Sequence, residues 1–263
     1  MKIGIFDSGL GGLVILRSIV AHMPQYPYHY FGDTKNLPYG VKCQEEIYRL
    51  TLAGIDYLFK HNCALIIIAC NTASAEALRR IQQQYLPIHY PERRVLGVII
   101  PTIEEIRDSE RVGLLATEAT IASQTFNKEL AKINPKIKLF EQAASQLVPF
   151  IEDNNKSKIK QLLPNFINPL LENNIQSLIL GCTHFPFIRK EIKELCDPEV
   201  KVISQTEIIP AKLQEYLRHH NEIEKLLDHT SVIQCEVTMI TKHIQSLAKA
   251  WFPESGALRL VSL

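Results

Sequence analysis

The amino-acid sequence predicts an α/β protein made of two similar parallel-sheet domains, and three observations support this. Short aliphatic and β-branched segments alternate with longer segments of helical period, which is typical of parallel sheets covered by helices on both faces. The chain has 263 residues, of which 46% are hydrophobic, so it can bury one large core or two modest ones. An internal repeat then divides it into two halves.

The alternation predicts nine strands separated by helices. The candidate strands are residues 2–6, 28–32, 65–69, 94–98, 111–115, 137–140, 177–180, 200–203 and 231–235. The main helical segments between them are residues 44–61, 73–84, 123–131, 156–172 and 207–218. No low-complexity tract or long linker interrupts this order. Any boundary between domains must therefore be a short crossing of the chain.

Two short segments recur in the same order and at nearly the same spacing. Residues 3–8 (Ile-Gly-Ile-Phe-Asp-Ser) correspond to residues 112–117 (Val-Gly-Leu-Leu-Ala-Thr). The apolar segment that ends in Cys70 corresponds to the one that ends in Cys182. We therefore expect two halves related by pseudo-twofold symmetry. The expected first domain is discontinuous, with residues 1–98 plus 209–263, and the expected second domain is residues 99–208.

The repeated segments also predict where the active site lies. Ligands of open parallel sheets bind beyond the carboxyl ends of the strands. All four repeated turns fall at such ends, so pseudo-twofold symmetry would bring Cys70 and Cys182 to one cleft from opposite sides. We expect the active site in this cleft between the two domains.

Charge and hydropathy limit the classes of partner. The 29 Lys and Arg residues nearly balance the 28 Asp and Glu residues, so no overall field favours nucleic acid or an anionic membrane. No stretch has the apolar length of a membrane span, and the first residues, MKIGIF, are typical of a strand rather than a signal peptide. We expect a cytoplasmic protein that binds a small molecule.

Metal and nucleotide sites are not predicted. The nine histidines show no metal-ligand spacing. The run Gly9-Leu10-Gly11-Gly12 is not a dinucleotide-binding motif, because Val14 stands where that motif requires glycine. Its glycines are better suited to a close approach of the backbone to a carboxylate at the start of a helix. No cofactor is expected.

Two of the six cysteines occur in an unusual context. The six are widely spaced without a C-x-x-C pair, so free thiols are expected. Cys70 and Cys182 each follow an apolar strand and precede polar residues at a predicted helix start, where backbone N–H groups favour anions and thiolates. Either one alone could be a structural cysteine. Together they favour inversion at a carbon, with one thiol removing a proton and the other returning it.

Two further side chains occupy positions from which they could assist the thiols. Asp7 ends the first strand and could orient Cys70, and His184 lies two residues after Cys182. Each also has a structural interpretation. Asp7 with Ser8 could cap the helix that begins near Gly11, and a histidine at a strand end is often only a hydrogen-bonded polar residue.

The sequence resembles the glutamate racemase family over essentially its whole length. The motifs that carry the resemblance are residues 3–9, 30–34, 37–40, 69–74 and 180–186, in the family order. The resemblance implies a cofactor-independent enzyme that interconverts L- and D-glutamate and supplies D-glutamate for peptidoglycan, the polymer that sets bacterial cell shape. It also implies two α/β domains around a buried site. Many family members are dimers, so a homodimer is a further expectation.

The resemblance also assigns roles to individual residues. Cys70 and Cys182 are the proton donor and acceptor. The resemblance implies that Asp33, Glu152 and His184 assist catalysis, and Asp7 is expected to join them from its position at the end of the first strand. The residues that contact substrate are Asp7, Ser8, Pro38, Tyr39, Gly40, Asn71, Thr72, Thr117, Thr120, Thr183 and His184. Without the resemblance, the Pro-Tyr-Gly segment can be read as a simple turn, Asp33 as a helix cap and Glu152 as a solvated charge.

The chain departs from the family pattern in three segments, and from one of them, the strand end at residues 232–238, no site is inferred. After residues 97–99, many relatives carry Glu-Pro-Gly, whereas this chain has Ile100-Pro101-Thr102. After residues 200–203, the usual Asp and small residue are replaced by Ser204-Gln205. Neither place carries the proton-transfer chemistry.

Three other functions remain open from the sequence. An aspartate or broad-specificity racemase of the same superfamily would share these motifs, because pocket geometry decides side-chain length. A catalytically silent amino-acid-binding protein could keep the fold. A Cys-His hydrolase centred on Cys182 and His184 is the third, although it leaves Cys70 without a role.

Overall fold

The computed structural model describes residues 1–262, which form two parallel β-sheets with intervening helices. The strands are β1 (Lys2–Asp7), β2 (Tyr28–Gly32), β3 (Cys63–Ile68), β4 (Arg94–Gly97), β5 (Arg111–Ala116), β6 (Lys138–Ala143), β7 (Ser177–Gly181), β8 (Lys201–Ile203), β9 (Ile233–Val237) and β10 (Arg259–Leu260). The helices are α1 (Gly12–His22), α2 (Gln44–Lys60), α3 (Asn71–Glu76), α4 (Leu78–Arg80), α5 (Leu86–His89), α6 (Ile99–Glu104), α7 (Glu118–Ala122), α8 (Thr125–Ile133), α9 (Leu147–Glu152), α10 (Lys156–Leu171), α11 (Arg189–Leu195), α12 (Gln205–His219), α13 (Asn221–Glu224) and α14 (Lys242–Trp251).

The strands form two sheets in which every pairing is parallel. The larger sheet has the order β10-β9-β2-β1-β3-β4, and the smaller has the order β6-β5-β7-β8. The larger sheet takes strands from both ends of the chain, while the smaller takes them from the middle. This arrangement confirms the predicted α/β class with two sheet-based halves.

The two sheets share one strand order. Strands β2-β1-β3-β4 and β6-β5-β7-β8 both run second, first, third, fourth in chain order. The sequence repeat therefore falls on equivalent strands, β1 with β5 and β3 with β7. The pseudo-twofold relation follows from this equivalence. The exact domain boundaries, at 98/99 and 208/209, stay a prediction, and the second of them falls inside α12.

The strands form where apolar side chains can be buried on both faces of a sheet. In β3, Cys63-Ala64-Leu65-Ile66-Ile67-Ile68 is a continuous apolar run and every residue is buried. Leu65 and Ile67 pack into the core on one face, whereas Ile66 and Ile68 pack into the core on the other. Such runs replace strict alternation because helices cover both faces of a parallel sheet.

The structure corrects two sequence predictions of secondary structure. The helix predicted over residues 73–84 begins earlier, at Asn71, because the Cys70 sulfur caps its first turn. It is also broken into α3, α4 and a π-helical turn at Ile81–Tyr85, just before Pro87, whose backbone has no N–H for a regular helical bond. The predicted strand at 231–235 lies instead at Ile233–Val237, and the two-residue strand β10 was not predicted.

No helix formed by residues 1–262 combines the length and the hydropathy needed to cross a membrane.

Truncating a core residue of the smaller sheet tests this packing. Leu114 lies in the central strand β5 and has no exposed surface. Leu114→Ala should lower the free energy of unfolding by about 2–5 kcal/mol, because it leaves a cavity among packed neighbours. Urea unfolding followed by circular dichroism measures the loss.

The matched control is Leu260→Ala, since Leu260 is 63% exposed and its truncation should cost less than about 0.5 kcal/mol. Equal losses in the two variants would contradict the packing described.

Candidate active site

The ends of the repeated strands meet at one cavity of about 480 Å³. Ser8 follows β1, Cys70 follows β3, Thr117 follows β5 and Cys182 follows β7, and all four residues line this cavity. The other predicted site residues along its wall are Pro38, Tyr39, Gly40, Asn71, Thr72, Glu152, Thr183 and His184. Two larger grooves, each of about 620 Å³, lie beside α12 and contain neither Cys70 nor Cys182.

Cys70 is held at the amino terminus of α3. Its sulfur accepts a hydrogen bond from the Ala73 backbone N–H at 3.4 Å and lies 3.3 Å from Ser8 Oγ. Burial raises the pKa of the Cys70 thiol to about 12, and the nearby Asp7 carboxylate acts in the same direction. Cys70 is therefore a protonated thiol at neutral pH in the absence of a ligand.

Cys182 has a different neighbour. Its sulfur lies 3.8 Å from Nδ1 of His184, and Nε2 of the same ring lies 3.0 Å from Oε1 of Glu152, at the end of α9. Burial alone lowers the pKa of His184, but its hydrogen bonds with Cys182 and Glu152 and their negative charges raise it to about 10. The ring is therefore an imidazolium at neutral pH, and its positive charge lies against the Cys182 sulfur.

Asp7 lies behind the Cys70 side of the cavity. Its side chain is fully buried, and Oδ2 accepts a hydrogen bond from the Gly9 N–H at 3.0 Å. No partner within residues 1–262 bonds to Oδ1. Burial raises the pKa of Asp7, while the positive charge of His184 partly offsets this. A buried carboxylate oxygen with unused acceptor capacity can take a proton or a hydrogen bond when the site is occupied.

The glycine run after β1 brings the first half of the chain against the second. A Cβ atom at Gly11 would overlap Oγ1 of Thr183 and crowd the His184 ring. Glycine is therefore needed for this close approach, whereas the approach of the glycine run to a substrate carboxylate stays a prediction. The approach places Thr183 and His184 directly against the start of α1.

Asp33 is buried beneath the loop that carries Tyr39 and does not line the cavity. Its carboxylate accepts hydrogen bonds from Tyr39 Oη at 2.7 Å, from Asn36 Nδ2 at 2.9 Å and from Thr238 Oγ1 at 2.8 Å. Through these hydrogen bonds, Asp33 holds the loop that carries Tyr39 against the end of β9. Its direct part in catalysis stays a prediction.

Three threonines connect the two halves beside the cavity. Thr72 Oγ1 lies 2.9 Å from Thr117 Oγ1 and 3.3 Å from Thr120 Oγ1, and the last two are 2.8 Å apart. Thr117 also caps α7 by accepting from the Thr120 N–H. Thr72 follows β3 and Thr117 follows β5, so this hydroxyl cluster links the strand ends of both sheets.

Asn71 forms a contact that was not predicted. Its Nδ2 donates to Gln205 Oε1 at 2.8 Å, and its Oδ1 accepts from Gln205 Nε2 at 2.7 Å. Gln205 begins α12, far away in the sequence. In the sequence, the only feature that singles out Gln205 is its position where the chain departs from the family pattern. Thr238 was missed for a similar reason, since the end of β9 carries no recognisable motif.

The link between His184 and Glu152 can be tested by titration. Glu152→Gln removes the carboxylate charge, so it should lower the pKa of His184 from about 10 toward the ordinary value of about 6.5. The stability gained from the raised pKa is fully present below pH 6.5 and is lost as the pH rises through 10, so the stability difference between the variant and the wild type should be largest at about pH 6.5 and should vanish above pH 10. NMR of the imidazole signals measures the titration.

His29 is the internal control for this titration. It is buried in the larger sheet, where desolvation lowers its pKa to about 4. The same variant should leave that value unchanged. An unaltered His184 titration in Glu152→Gln would show that Glu152 does not set the charge of the ring.

Known proteins resemble this chain in both sequence and fold. Residues 14–212 match the family model described as Asp/Glu/Hydantoin racemase. A glutamate racemase of Paracoccus denitrificans is 37% identical over 238 residues, covering 85% of this chain and 87% of the relative. The crystal structure of glutamate racemase from Francisella tularensis in complex with D-glutamate superimposes with a TM-score of 0.89 at 30% identity, covering 99% of this chain and 97% of that one.

A second solved structure extends the likeness to the whole fold. The glutamate racemase isoform RacE1 from Bacillus anthracis has a TM-score of 0.90 at 26% identity, covering 100% of this chain and 97% of that one. The matched family model, the curated relatives and the shared architecture agree. The chain belongs to the Asp/Glu/Hydantoin racemase family, and within it to the glutamate racemases.

Proposed function

We propose that this chain interconverts L- and D-glutamate by moving the Cα proton between the substrate and the sulfurs of Cys70 and Cys182. One observation carries the proposal. The two cysteines follow equivalent strands, line one cavity and have opposite electrostatic surroundings. The relatives named as glutamate racemases support glutamate as the substrate, as does the relative whose structure contains D-glutamate.

The different surroundings assign a direction to each proton transfer. In one direction the Cys182 thiolate takes the Cα proton, and the Cys70 thiol gives its proton to the opposite face of the resulting carbanion. Cys182 is then a thiol and Cys70 a thiolate, so the same steps run backward from the other enantiomer. The His184 imidazolium stabilises the thiolate of Cys182, and Ser8 Oγ with the Ala73 N–H stabilises that of Cys70.

The cavity wall also supplies groups that can hold an amino acid while its Cα proton moves. The Cα proton is only weakly acidic, so donors around the carboxylate and exclusion of water must lower the barrier. The hydroxyls of Thr72, Thr117 and Thr183 and the amide of Asn71 are all along this wall and are buried. They can donate to substrate carboxylates, while Glu152 can accept from its ammonium.

The wider biological role is part of the same proposal. D-glutamate made by this reaction would enter peptidoglycan and so support cell-wall growth and cell shape. A cytoplasmic location and a homodimer remain predictions. Light scattering after size-exclusion chromatography would measure the mass of the particle in solution, against 30.0 kDa for one chain.

Substitution of each cysteine tests the two-thiol mechanism. Cys70→Ala and Cys182→Ala should each lower kcat by about a hundredfold or more in both directions, because each removes one positioned acid or base. Cys196→Ala is the matched control, since Cys196 is also buried but lies outside the cavity. Loss of optical activity of L- and D-glutamate measures the rate. Retention of full activity in either active-site variant would exclude the mechanism.

The same assay with L-aspartate decides the substrate. We expect faster loss of optical activity with L-glutamate than with L-aspartate. A preference for aspartate would favour the related racemase. No loss with either amino acid would favour a binding protein, and a trapped acyl adduct on Cys182 would favour a hydrolase.

A further inference from the structure

We propose that Gln205 is a positioning residue for this reaction and that it acts together with Thr102. Gln205 and Thr102 fix the direction of the Asn71 amide, so that its nitrogen rather than its oxygen faces the substrate. The inference rests on the proposed function and deepens it. Gln205 and Thr102 themselves lie outside the sequence motifs that carry the resemblance.

The first step is the pairing of two buried amides. Asn71 and Gln205 are each 2% exposed and exchange two hydrogen bonds, of 2.8 and 2.7 Å. Asn71 begins α3 directly after Cys70, whereas Gln205 begins α12 and is separated by a single residue from the end of β8. The pair therefore joins the strand ends of the two sheets next to a proton-transfer cysteine.

The second step is the direction of the pair. An isolated pair of amides could reverse, with both nitrogens and both oxygens exchanged, and keep two hydrogen bonds. Thr102 prevents this. Its single hydroxyl proton is donated to the Val98 carbonyl at 2.7 Å, so its oxygen can only accept from a third group. That group is Gln205 Nε2, at 3.3 Å.

The third step concerns the one N–H of Asn71 that the amide pair leaves for a ligand. The pair uses one N–H of Asn71 and one N–H of Gln205, and Thr102 takes the second N–H of Gln205. The second N–H of Asn71 belongs to a side chain in the cavity wall. With the direction fixed, this N–H can meet a substrate oxygen. In the reversed amide a carbonyl oxygen would take its place and repel a carboxylate.

The relay joins distant parts of the chain. Thr102 and Gln205 are far apart in the sequence. Both side chains are buried and lie in contact with each other. A side chain without a polar group at either position could not form this relay.

Three variants test the relay. In Thr102→Val, which keeps the shape of the side chain, the buried N–H of Gln205 loses its acceptor, so the reversed direction becomes more favourable. Gln205→Met removes the partner of Asn71 altogether. We expect each to raise KM for glutamate about tenfold, with a smaller change in kcat, because binding of substrate and transition state are weakened together. Thr102→Ser keeps the hydroxyl and should restore a KM near that of the wild type.

A second readout does not depend on the reaction. In the ligand-free protein labelled with ¹⁵N, the side-chain NH₂ signals of Asn71 should move in Thr102→Val and Gln205→Met but stay in place in Thr102→Ser. Thermal unfolding of all variants shows whether they are folded. If wild type does not racemise glutamate, the proposed function fails, and these signals alone decide whether Thr102 sets the direction of the pair.

Three results would overturn the inference while leaving the proposed function intact. The first is an active wild type with unchanged KM in both Thr102→Val and Gln205→Met, even if their melting temperatures fall. The second is an equal rise in KM in Thr102→Ser and Thr102→Val, because that would indicate packing rather than hydrogen bonding. Unmoved Asn71 signals in Thr102→Val would likewise exclude the relay.

Discussion

Parallel pairing of strands delivers the carboxyl ends of all strands in a sheet to one edge, and the site depends on this constraint. Two sheets with the same strand order meet at such edges, so equivalent turns from the two halves reach one cavity. The apolar strands β3 and β7 fix Cys70 and Cys182 on rigid elements. The glycine at position 11 then allows the first half to approach the strand end that carries His184 closely.

Within this fold, the two identical thiols of Cys70 and Cys182 differ in their chemistry because their neighbours differ. Cys70 is buried beside the Asp7 carboxylate and has a raised pKa, whereas Cys182 lies beside His184, whose pKa is raised by its hydrogen bonds with Cys182 and Glu152. Pseudo-twofold symmetry therefore holds for the backbone but not for the charges. A reaction that removes a proton from one face and adds one to the other requires this asymmetry at each moment, although the roles exchange with each turnover.

The sequence predicted what repeats or follows hydrophobic periodicity. The strands with buried apolar runs, the pairing of the two halves and the choice of Cys70 and Cys182 among six cysteines all came from local patterns. Contacts between distant segments could not be predicted in this way. The bond from Thr238 to Asp33 and the pair of Asn71 with Gln205 depend on how the ends of separate strands meet in space. The π-helical turn before Pro87 was missed because helical periodicity alone does not reveal a change in hydrogen-bond pattern.

The central claim is that protons reach the two faces of Cα from two different thiols. The most direct measurement is the initial turnover of L-glutamate and of D-glutamate in D₂O, with deuterium at Cα followed in both enantiomers by mass spectrometry. Two thiols predict that the newly formed enantiomer carries solvent deuterium while the remaining substrate carries almost none. Product that retains the original proton, or early deuterium in the remaining substrate at the same rate as in product, would contradict the account and indicate a single base.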